Sequence, residues 1–315
     1  MHEPAWDVIG IGENSVDFVY RLPMLPGPNS KIPITGRRIS PGGQVATTLC
    51  ACASFGLRAS YVGAFGSDEN GARIRRELER RGVQTGNALV REGANRCAII
   101  MVDERTGDRI VLWERDPALA LGPADLQPAA IAGTRLLHVD ATDEELSIAA
   151  ARAARQAGVL VTSDIDVVTD RTEQLIAAVD AAILAQHVPE SLTGEADVER
   201  ALRTLRGRHP QWLCVTRGEG GAVLLDGNRL HRSPAFPVEA IDTTGAGDVF
   251  RAGFIRALLR GDAPDDILRF ANAAAAVSCT RPGAIESVPS LQDVERVLTS
   301  GKVEKWKSGK VDGRA

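Results

Sequence analysis

Aromatic side chains are scarce in this sequence, where Phe, Tyr and Trp make up 4% of the 315 residues. Alanine, valine and leucine must therefore fill the core, and a hydrophobic content of 44% is enough for one. Long apolar runs are also missing: there is no stretch of about 18 apolar residues, and no basic N-terminal region followed by an apolar one. We therefore expect no membrane partner and a cytoplasmic location.

Paired cysteines, metal-binding histidine spacings and a strong excess of one charge are missing too. Five cysteines are an odd number without a Cys-x-x-Cys pair, and each lies in an apolar stretch, which favours reduced, buried thiols. The five histidines are scattered, so a structural transition-metal site is not expected. A net charge of −4 argues against a nucleic-acid partner. A cytosolic enzyme that acts on a small molecule is the default expectation.

From about residue 130 onward, strand-like and helix-like segments alternate. Strands are predicted at 136–139, 160–163, 182–184, 213–216 and 222–225, with helices centred near 150, 175, 200, 255 and 270. This alternation predicts an α/β fold with a parallel sheet covered on both faces. Two further β segments, at about 16–40 and 95–115, predict a small lid inserted in a single domain over 1–300. Residues 301–315 are expected to be a flexible tail.

The most informative motif is Asp-Thr-Thr-Gly-Ala-Gly-Asp-Val-Phe-Arg-Ala-Gly at 242–253. Gly245, Ala246 and Gly247 allow a tight turn whose N–H groups can face an anion, and a helical apolar spacing follows. Amides at a helix N-terminus form a natural phosphate cradle. Asp248 stands where a carboxylate can take a proton from an attacking hydroxyl, so the motif predicts phosphoryl transfer to an alcohol. The alternative is an ordinary turn in which Asp248 only caps the helix.

The complete pattern at 242–253 resembles the C-terminal signature of the ribokinase-like (PfkB) carbohydrate kinases, and the resemblance extends over roughly 5–295. It implies a central, mainly parallel sheet flanked by helices on both faces, with a small β-sheet lid. It also implies phosphorylation of a hydroxyl on a small sugar or polyol with ATP and Mg²⁺, with Asp248 as base and the 245–247 amides as anion hole. Relatives often pair through the lid, so a homodimer is expected.

Segments in the first half of the chain resemble the sugar-gripping parts of that family. In Gly-Ile-Gly-Glu-Asn-Ser-Val-Asp at 10–17, the final carboxylate could accept hydrogen bonds from two adjacent hydroxyls, although a turn-capping role is the alternative. A dinucleotide fold is disfavoured because Ser15 stands at the third glycine position of Gly-x-Gly-x-x-Gly. Thr47 stands where relatives commonly have asparagine, which weakens the inference of any specific sugar. The expected substrate-binding residues are Asn14, Asp17, Gly42, Gly43, Thr47 and Asp140.

The nucleotide side is expected at Thr216, Gly218, Gly221 and Asn272, in segments similar to those that approach ATP in relatives. The family's Asn-x-x-Glu motif is altered here, with Gln186 or His187 at the asparagine position. Glu190 is the candidate glutamate for magnesium and phosphate positioning, and Mg²⁺ could also be held through water and ATP oxygens. This alteration slightly favours a second hypothesis, a non-catalytic sugar or nucleotide sensor.

A monovalent cation such as K⁺ is a further expectation from the resemblance. The matching residues are Asp242, Thr244, Ser278, Arg281, Gly283 and Ser287. The acceptor stays open among fructose-like ketoses, ribose, 2-keto-3-deoxygluconate, nucleosides and phosphosugars. Arg96, Arg109 and Arg115 near the lid could meet a phosphorylated acceptor, but we expect them to be exposed hairpin arginines.

Overall fold

The computed structural model describes residues 4–209 and 212–303, so the predicted tail falls almost entirely outside the described residues. The strands are β1 (Trp6–Ile11), β2 (Ser15–Leu22), β3 (Gly36–Gly42), β4 (Ala59–Val62), β5 (Ala64–Gly66), β6 (Leu89–Arg91), β7 (Cys97–Asp103), β8 (Arg109–Glu114), β9 (Thr134–Asp140), β10 (Leu160–Ile165), β11 (Ala181–Ala185), β12 (Trp212–Thr216), β13 (Ala222–Asp226) and β14 (Arg229–Ser233). The helices are α1 (Gln44–Ser54), α2 (Glu69–Arg80), α3 (Pro128–Ala132), α4 (Glu144–Gln156), α5 (Thr172–Ala178), α6 (Val188–Thr193), α7 (Val198–Arg208), α8 (Ala246–Arg260), α9 (Pro264–Ser278) and α10 (Leu291–Ser300).

The main sheet has eight strands in the order β14-β13-β12-β11-β10-β9-β1-β4. Neighbours from β4 to β12 are parallel, whereas β13 and β14 form an antiparallel edge. The parallel strands are apolar and buried because helices cover both faces, as the alternation predicts. Strand β14 was not predicted from the sequence, since Arg-Leu-His-Arg-Ser lacks the apolar run of a buried strand. The predicted α/β fold class is confirmed.

Two hydrophobic cores flank this sheet. One packs α1, α2, α8, α9 and α10 on one face, and the other packs α4, α5 and α7 on the opposite face. Helices α8 and α9 lie close together because small residues face each other: a Cβ placed on Gly253 would be 2.9 Å from the Cα of Ala271. Close backbone approach replaces bulky side chains in filling this core, which fits the scarcity of aromatic residues.

A separate four-stranded sheet, called the small sheet from here on, has the order β3-β2-β7-β8. Strand β2 pairs antiparallel with β3 and parallel with β7, and β7 forms an antiparallel hairpin with β8. These strands fall in the two segments predicted for the lid, including the hairpin at 96–114. Strand β8 leaves Val111, Leu112 and Trp113 exposed, the last to 69%.

The carboxyl ends of the parallel strands bring the predicted site residues to one edge. Strand β1 leads into the Gly12–Asn14 loop, β9 ends at Asp140, and β10 carries Asp164 near its end. The N-terminus of α8 lies beside the Asp164 end of β10. Ligands of open α/β sheets bind at this edge. Among the helices of the described residues, none has the length and apolarity to cross a bilayer.

Candidate active site

The anion loop, residues 242–248, is held by contacts within the loop and by contacts with residues 283 and 284. Gly245 has φ +77°, and a Cβ there would lie 2.9 Å from the Cα of Ala284, so glycine is required. The Asp242 carboxylate accepts hydrogen bonds from the N–H of Thr244 (3.0 Å) and of Gly283 (2.9 Å). These contacts favour one conformation of the loop, in which its amides are already arranged to bind an anion.

The amides of the anion loop are not equivalent. Ala246 N–H donates to Thr243 O at 3.2 Å, closing the turn. Within α8, Val249 N–H donates to Gly245 O at 2.9 Å, so the Gly247 and Asp248 amides lie in the first turn, where helical N–H groups need outside acceptors. The Gly247 and Asp248 amides are therefore better placed than the Ala246 amide to donate hydrogen bonds to an anion.

Asp248 lines a cavity of about 260 Å³ together with Gly245 and Asp17. This is the Asp248 cavity, and β2, β7 and β8 of the small sheet form its opposite wall. The backbone carbonyl of Asp248 accepts a hydrogen bond from the Thr48 hydroxyl of α1 at 3.2 Å. Burial and the nearby charge of Asp164 raise the pKa of Asp248 well above its usual value, and Arg251 acts in the opposite direction.

Asp17 faces the same cavity from β2. Its Oδ1 accepts a hydrogen bond from the Ser15 hydroxyl at 3.1 Å, and burial raises the pKa of Asp17 to about 6 despite that bond. Gly42 is adjacent on β3, where a Cβ would lie 3.2 Å from Asp17 Oδ2. Gly43 has φ +98°, and a Cβ there would meet Asn14 Cα at 2.5 Å. The two glycines therefore allow the β1–β2 loop, β3 and Asp17 to converge.

The other predicted substrate residues lie beneath the cavity. Asn14 is buried and donates to Tyr61 Oη (2.7 Å) and to Ala64 O (2.8 Å). Asp140 is fully buried, accepting from the N–H of Glu13 at 2.7 Å and of Thr142 at 2.9 Å. Thr47 is also fully buried on α1. Asn14 and Asp140 therefore form hydrogen bonds within the protein, and these bonds hold the loop that carries Glu13.

Two of the three arginines that the sequence places near the lid, Arg96 and Arg115, lie in the cavity wall. Arg96 is 7% exposed and pairs with Asp143 at 2.8 Å, whereas Arg115 is exposed and pairs with Glu13 at 2.7 Å. Both line the Asp248 cavity. The expectation of an exposed hairpin arginine is wrong for Arg96, because its partner Asp143 lies 47 residues away in sequence and gives no local signal.

The predicted nucleotide residues fall into two groups. Gly221 and Asn272 converge on Ser233: a Cβ on Gly221 would clash with Ser233 O, and Asn272 Nδ2 donates to the same oxygen at 3.0 Å. Thr216 ends β12, and Gly218 opens the turn before Gly221. Glu190 is exposed on α6 and is not among the residues that line the Asp248 cavity.

The residues predicted for a monovalent cation lie on two adjoining loops. Ile241 N–H donates to Cys279 O at 2.8 Å, which joins the anion loop to residues 278–287. The Ser278 and Ser287 hydroxyls donate to Ala275 O and Ala284 O, and the Arg281 guanidinium pairs with Asp293 at 2.8 Å. The Asp242 carboxylate also contacts Arg38 of β3 at 3.2 Å. The Arg38 guanidinium therefore already supplies a positive charge at this junction.

A helix N-terminus and a carboxylate share one cavity at the carboxyl edge of a parallel sheet, an arrangement that is suited to phosphoryl transfer. A family model described as pfkB family carbohydrate kinase matches residues 7–291. The chain therefore belongs to the PfkB family of carbohydrate kinases, and it is an enzyme that transfers a phosphoryl group to an alcohol.

Individual relatives agree with this assignment. An ATP-dependent ribose-1-phosphate kinase of Halopiger xanaduensis is 30% identical over 295 residues, which cover 93% of this chain and 98% of that protein. A fructokinase of Klebsiella pneumoniae is 28% identical, covering 82% and 92% of the two chains. The crystal structure of ribokinase from Thermotoga maritima superposes with a TM-score of 0.81 at 25% identity, covering 93% and 99%.

Proposed function

We propose that this protein transfers the terminal phosphoryl group of ATP to a hydroxyl of a small sugar or related polyol. The observation that supports the proposal most strongly is that Asp17, Asp248 and Gly245 line a single cavity. One carboxylate there can bind acceptor hydroxyls, the second can take a proton, and the glycine opens a helix N-terminus suited to phosphate.

In the proposed reaction the acceptor oxygen bonds to the γ-phosphorus of ATP as the bond from that phosphorus to the β–γ bridging oxygen breaks. The hydroxyl proton passes to the Asp248 carboxylate, and ADP leaves with the bridging oxygen. The amides of the anion loop stabilise charge on the transferred group. Asp17, with Gly42 and Gly43 beside it, holds the acceptor hydroxyls. An ordinary carboxylate is a weak base near neutrality, so positioning of the hydroxyl contributes alongside the raised pKa of Asp248.

The nucleotide would lie against the turn at 218–221 and the middle of α9, where Asn272 is placed. Magnesium would enter with ATP, because this ion keeps several of its waters and binds mainly to phosphate oxygens and one or two carboxylates. When bound, it neutralises charge on the phosphates. Glu190 is the candidate side chain for a water-mediated contact with it.

The proposal includes a monovalent cation at the junction of the anion loop with residues 278–287. Turnover would be compared in potassium chloride and in an equal concentration of a large organic cation. Loss of turnover in the organic cation supports the site. Unchanged turnover would remove it from the proposal, and the Arg38 guanidinium would then be the charge that steadies Asp242.

We also propose that the small sheet closes over the acceptor and excludes water, which competes for the phosphoryl group. Its exposed apolar strand β8 would pair with a second copy of the chain in a homodimer, and the enzyme would work in the cytoplasm. Single-domain behaviour of residues 1–300 would appear as one cooperative unfolding transition.

ADP formation from MgATP, measured against a panel of sugars, tests the proposed function. D-ribose, D-fructose, 2-keto-3-deoxygluconate and a nucleoside represent the acceptor classes. Turnover above the no-sugar background with one of them is the expected result. If a sugar binds by calorimetry without ADP formation, the sensor hypothesis replaces the kinase.

A phosphorylated sugar is the second candidate acceptor, because Arg96 and Arg115 line the cavity. Two guanidinium groups in one wall are suited to a phosphate. Ribose 1-phosphate and ribose would be compared as acceptors. A kcat/KM at least about tenfold higher for the phosphorylated sugar, lost in Arg115→Met, would favour this acceptor class.

A further inference from the structure

Beneath the anion loop lies a buried ion pair that the proposed reaction does not use directly. Arg251 of α8 pairs with Asp164 near the end of β10, and the exposed fractions of the two side chains are 5% and 1%. Both charges are thus removed from water, which is unfavourable unless a specific arrangement compensates. A hydrophobic pair would fill this place at a lower desolvation cost, so the ion pair requires an explanation.

The guanidinium group of Arg251 reaches the anion loop itself. A Cβ placed on Gly247 would lie 2.6 Å from Arg251 Nη1, so this nitrogen packs directly against the backbone of Gly247. Because residues four apart on a helix share one face, Arg251 extends back along α8 toward its N-terminus. The pair therefore places a fixed positive charge on the protein side of the amides that would face phosphate.

Asp248 is surrounded by charges of both signs. Acidic groups outnumber basic ones around it. The acidic groups are Asp164 near the end of β10, Asp166 just after β10, Glu13 after β1 and Asp17 on β2. The basic groups are Arg96 and Arg115, which adjoin β7 and β8, and Arg251 on α8. His138 adds no charge, since burial lowers its pKa to about 3. All three cations are paired with other carboxylates, but only Arg251 lies on the helix of Asp248 within one turn of it.

We propose that Arg251 is a positioning residue for phosphoryl transfer. Held in place by its ion pair with Asp164, the guanidinium offsets the negative charge around Asp248 and keeps this carboxylate ionised next to the anion loop. The inference rests on the proposed function, because it concerns the same site. Asp164 has two effects: it fixes the guanidinium, and it opposes ionisation of Asp248 through its own charge.

The pH dependence of kcat, measured at saturating sugar so that the titration of Asp17 affects only KM, tests this proposal in a background without the second carboxylate. Asp164→Asn leaves Arg251 without its partner carboxylate, so the acid limb should move to lower pH than in the parent enzyme. Asp164→Asn/Arg251→Met should move it back upward by about one unit relative to Asp164→Asn, a tenfold change in kcat on that limb. Asp164→Asn/Arg251→Lys, which keeps the charge, should resemble Asp164→Asn. The acceptor is whichever sugar of the panel gives turnover.

A purely structural role predicts a different pattern. Both double variants would then lose activity by a pH-independent factor, and the acid limbs of Asp164→Asn and Asp164→Asn/Arg251→Met would coincide. That coincidence would overturn the proposal. The double variants bury no unpaired carboxylate at 164, which makes them better suited to folding than Arg251→Met alone.

A stability measurement covers the case in which no sugar of the panel is an acceptor. Urea unfolding at about pH 8 would be measured with and without the substitution Asp248→Asn in each of two backgrounds, Asp164→Asn and Asp164→Asn/Arg251→Met. We expect the effect of Asp248→Asn on the unfolding equilibrium constant to differ about tenfold between the backgrounds, because only one of them keeps the attraction between Asp248 and Arg251. Equal effects would reject the positioning role, whereas failure of the sugar panel alone would reject only the proposed acceptors.

Discussion

The two walls of the Asp248 cavity are constructed in different ways. The wall that we propose for phosphate, called the phosphate wall, is one contiguous segment, the anion loop, held on a helix that packs against α1 and α9. The wall that we propose for the acceptor, called the acceptor wall, is assembled from the β1–β2 loop and three strands of the small sheet, and it includes Trp113, which is 69% exposed. The first wall is formed by consecutive residues at the start of one packed helix, while the second depends on contacts between distant segments.

Under the proposed function, this difference would assign the chemistry to one wall and the acceptor specificity to the other. Phosphoryl transfer needs a fixed geometry, which a glycine turn on a packed helix supplies. Recognition of one acceptor among several needs side chains that can be exchanged without disturbing the core, and the small sheet supplies those. The pairs Arg96–Asp143 and Arg115–Glu13 belong to this wall. Substitutions in the two walls should therefore separate turnover from acceptor affinity.

The largest effect is expected for Asp248→Asn in the phosphate wall. Asparagine keeps the size of the side chain but cannot take the acceptor proton, so kcat should fall by about 1,000-fold. Nucleotide affinity, measured by calorimetry with MgATP, should stay within about threefold of the parent because binding needs no proton transfer. Nearly full activity in this variant would reject Asp248 as the base.

The next largest effect is expected for Gly245→Ala. Alanine would be strained at φ +77° and would press on Ala284, displacing the amides, so kcat should fall by about 100-fold. Gly261→Ala is the matched control, since Gly261 ends the same helix with the same φ and has open space around it. The control should lose about 1 kcal/mol of unfolding free energy and retain full kcat. Equal kinetic losses in both variants would show that the contact with Ala284 is not what matters.

A change in the acceptor wall should act on KM instead. Burial raises the pKa of Asp17 to about 6, so the carboxylate that we propose as the hydrogen-bond acceptor for the sugar hydroxyls becomes protonated as the pH falls through this value. The KM for the sugar should be constant above about pH 7 and rise about tenfold per unit well below about pH 6. Asp17→Asn should show a high KM without this pH dependence. A KM that stays flat in the parent enzyme down to about pH 5 would exclude Asp17 as the ionised ligand.

The smallest effect on catalysis is expected from the outer surface of the small sheet. Leu112→Lys places a charge on exposed strand β8 and should shift a dimer to monomers in light scattering, with a kcat within about twofold of the parent. Leu160→Lys is the matched control, because Leu160 is also exposed but lies at the start of β10 in the main sheet. A parent protein that is monomeric at working concentration would already contradict pairing through the small sheet.

Much of the fold could be predicted from the sequence because its signals are local. The alternation of apolar strands with helical spacing after residue 130 is sufficient for the parallel sheet, and the hairpin at 96–114 was found from its turn and apolar flanks. The antiparallel strand β14 was missed because its polar residues are stabilised by pairing with β13 rather than by burial. Edge strands give a weak signal for this reason.

The sequence alone determined the anion loop, because a glycine turn, a helix start and a carboxylate lie within seven consecutive residues. Only the tertiary structure decided the surroundings of Asp248. It turned Asp140 into a buried anchor for the Glu13 loop, placed Arg96 in the cavity wall, and brought Asp164 to Arg251 across 87 residues of sequence. A local backbone shape can be predicted from neighbouring residues, whereas a buried charge is defined by a partner that only folding brings within reach.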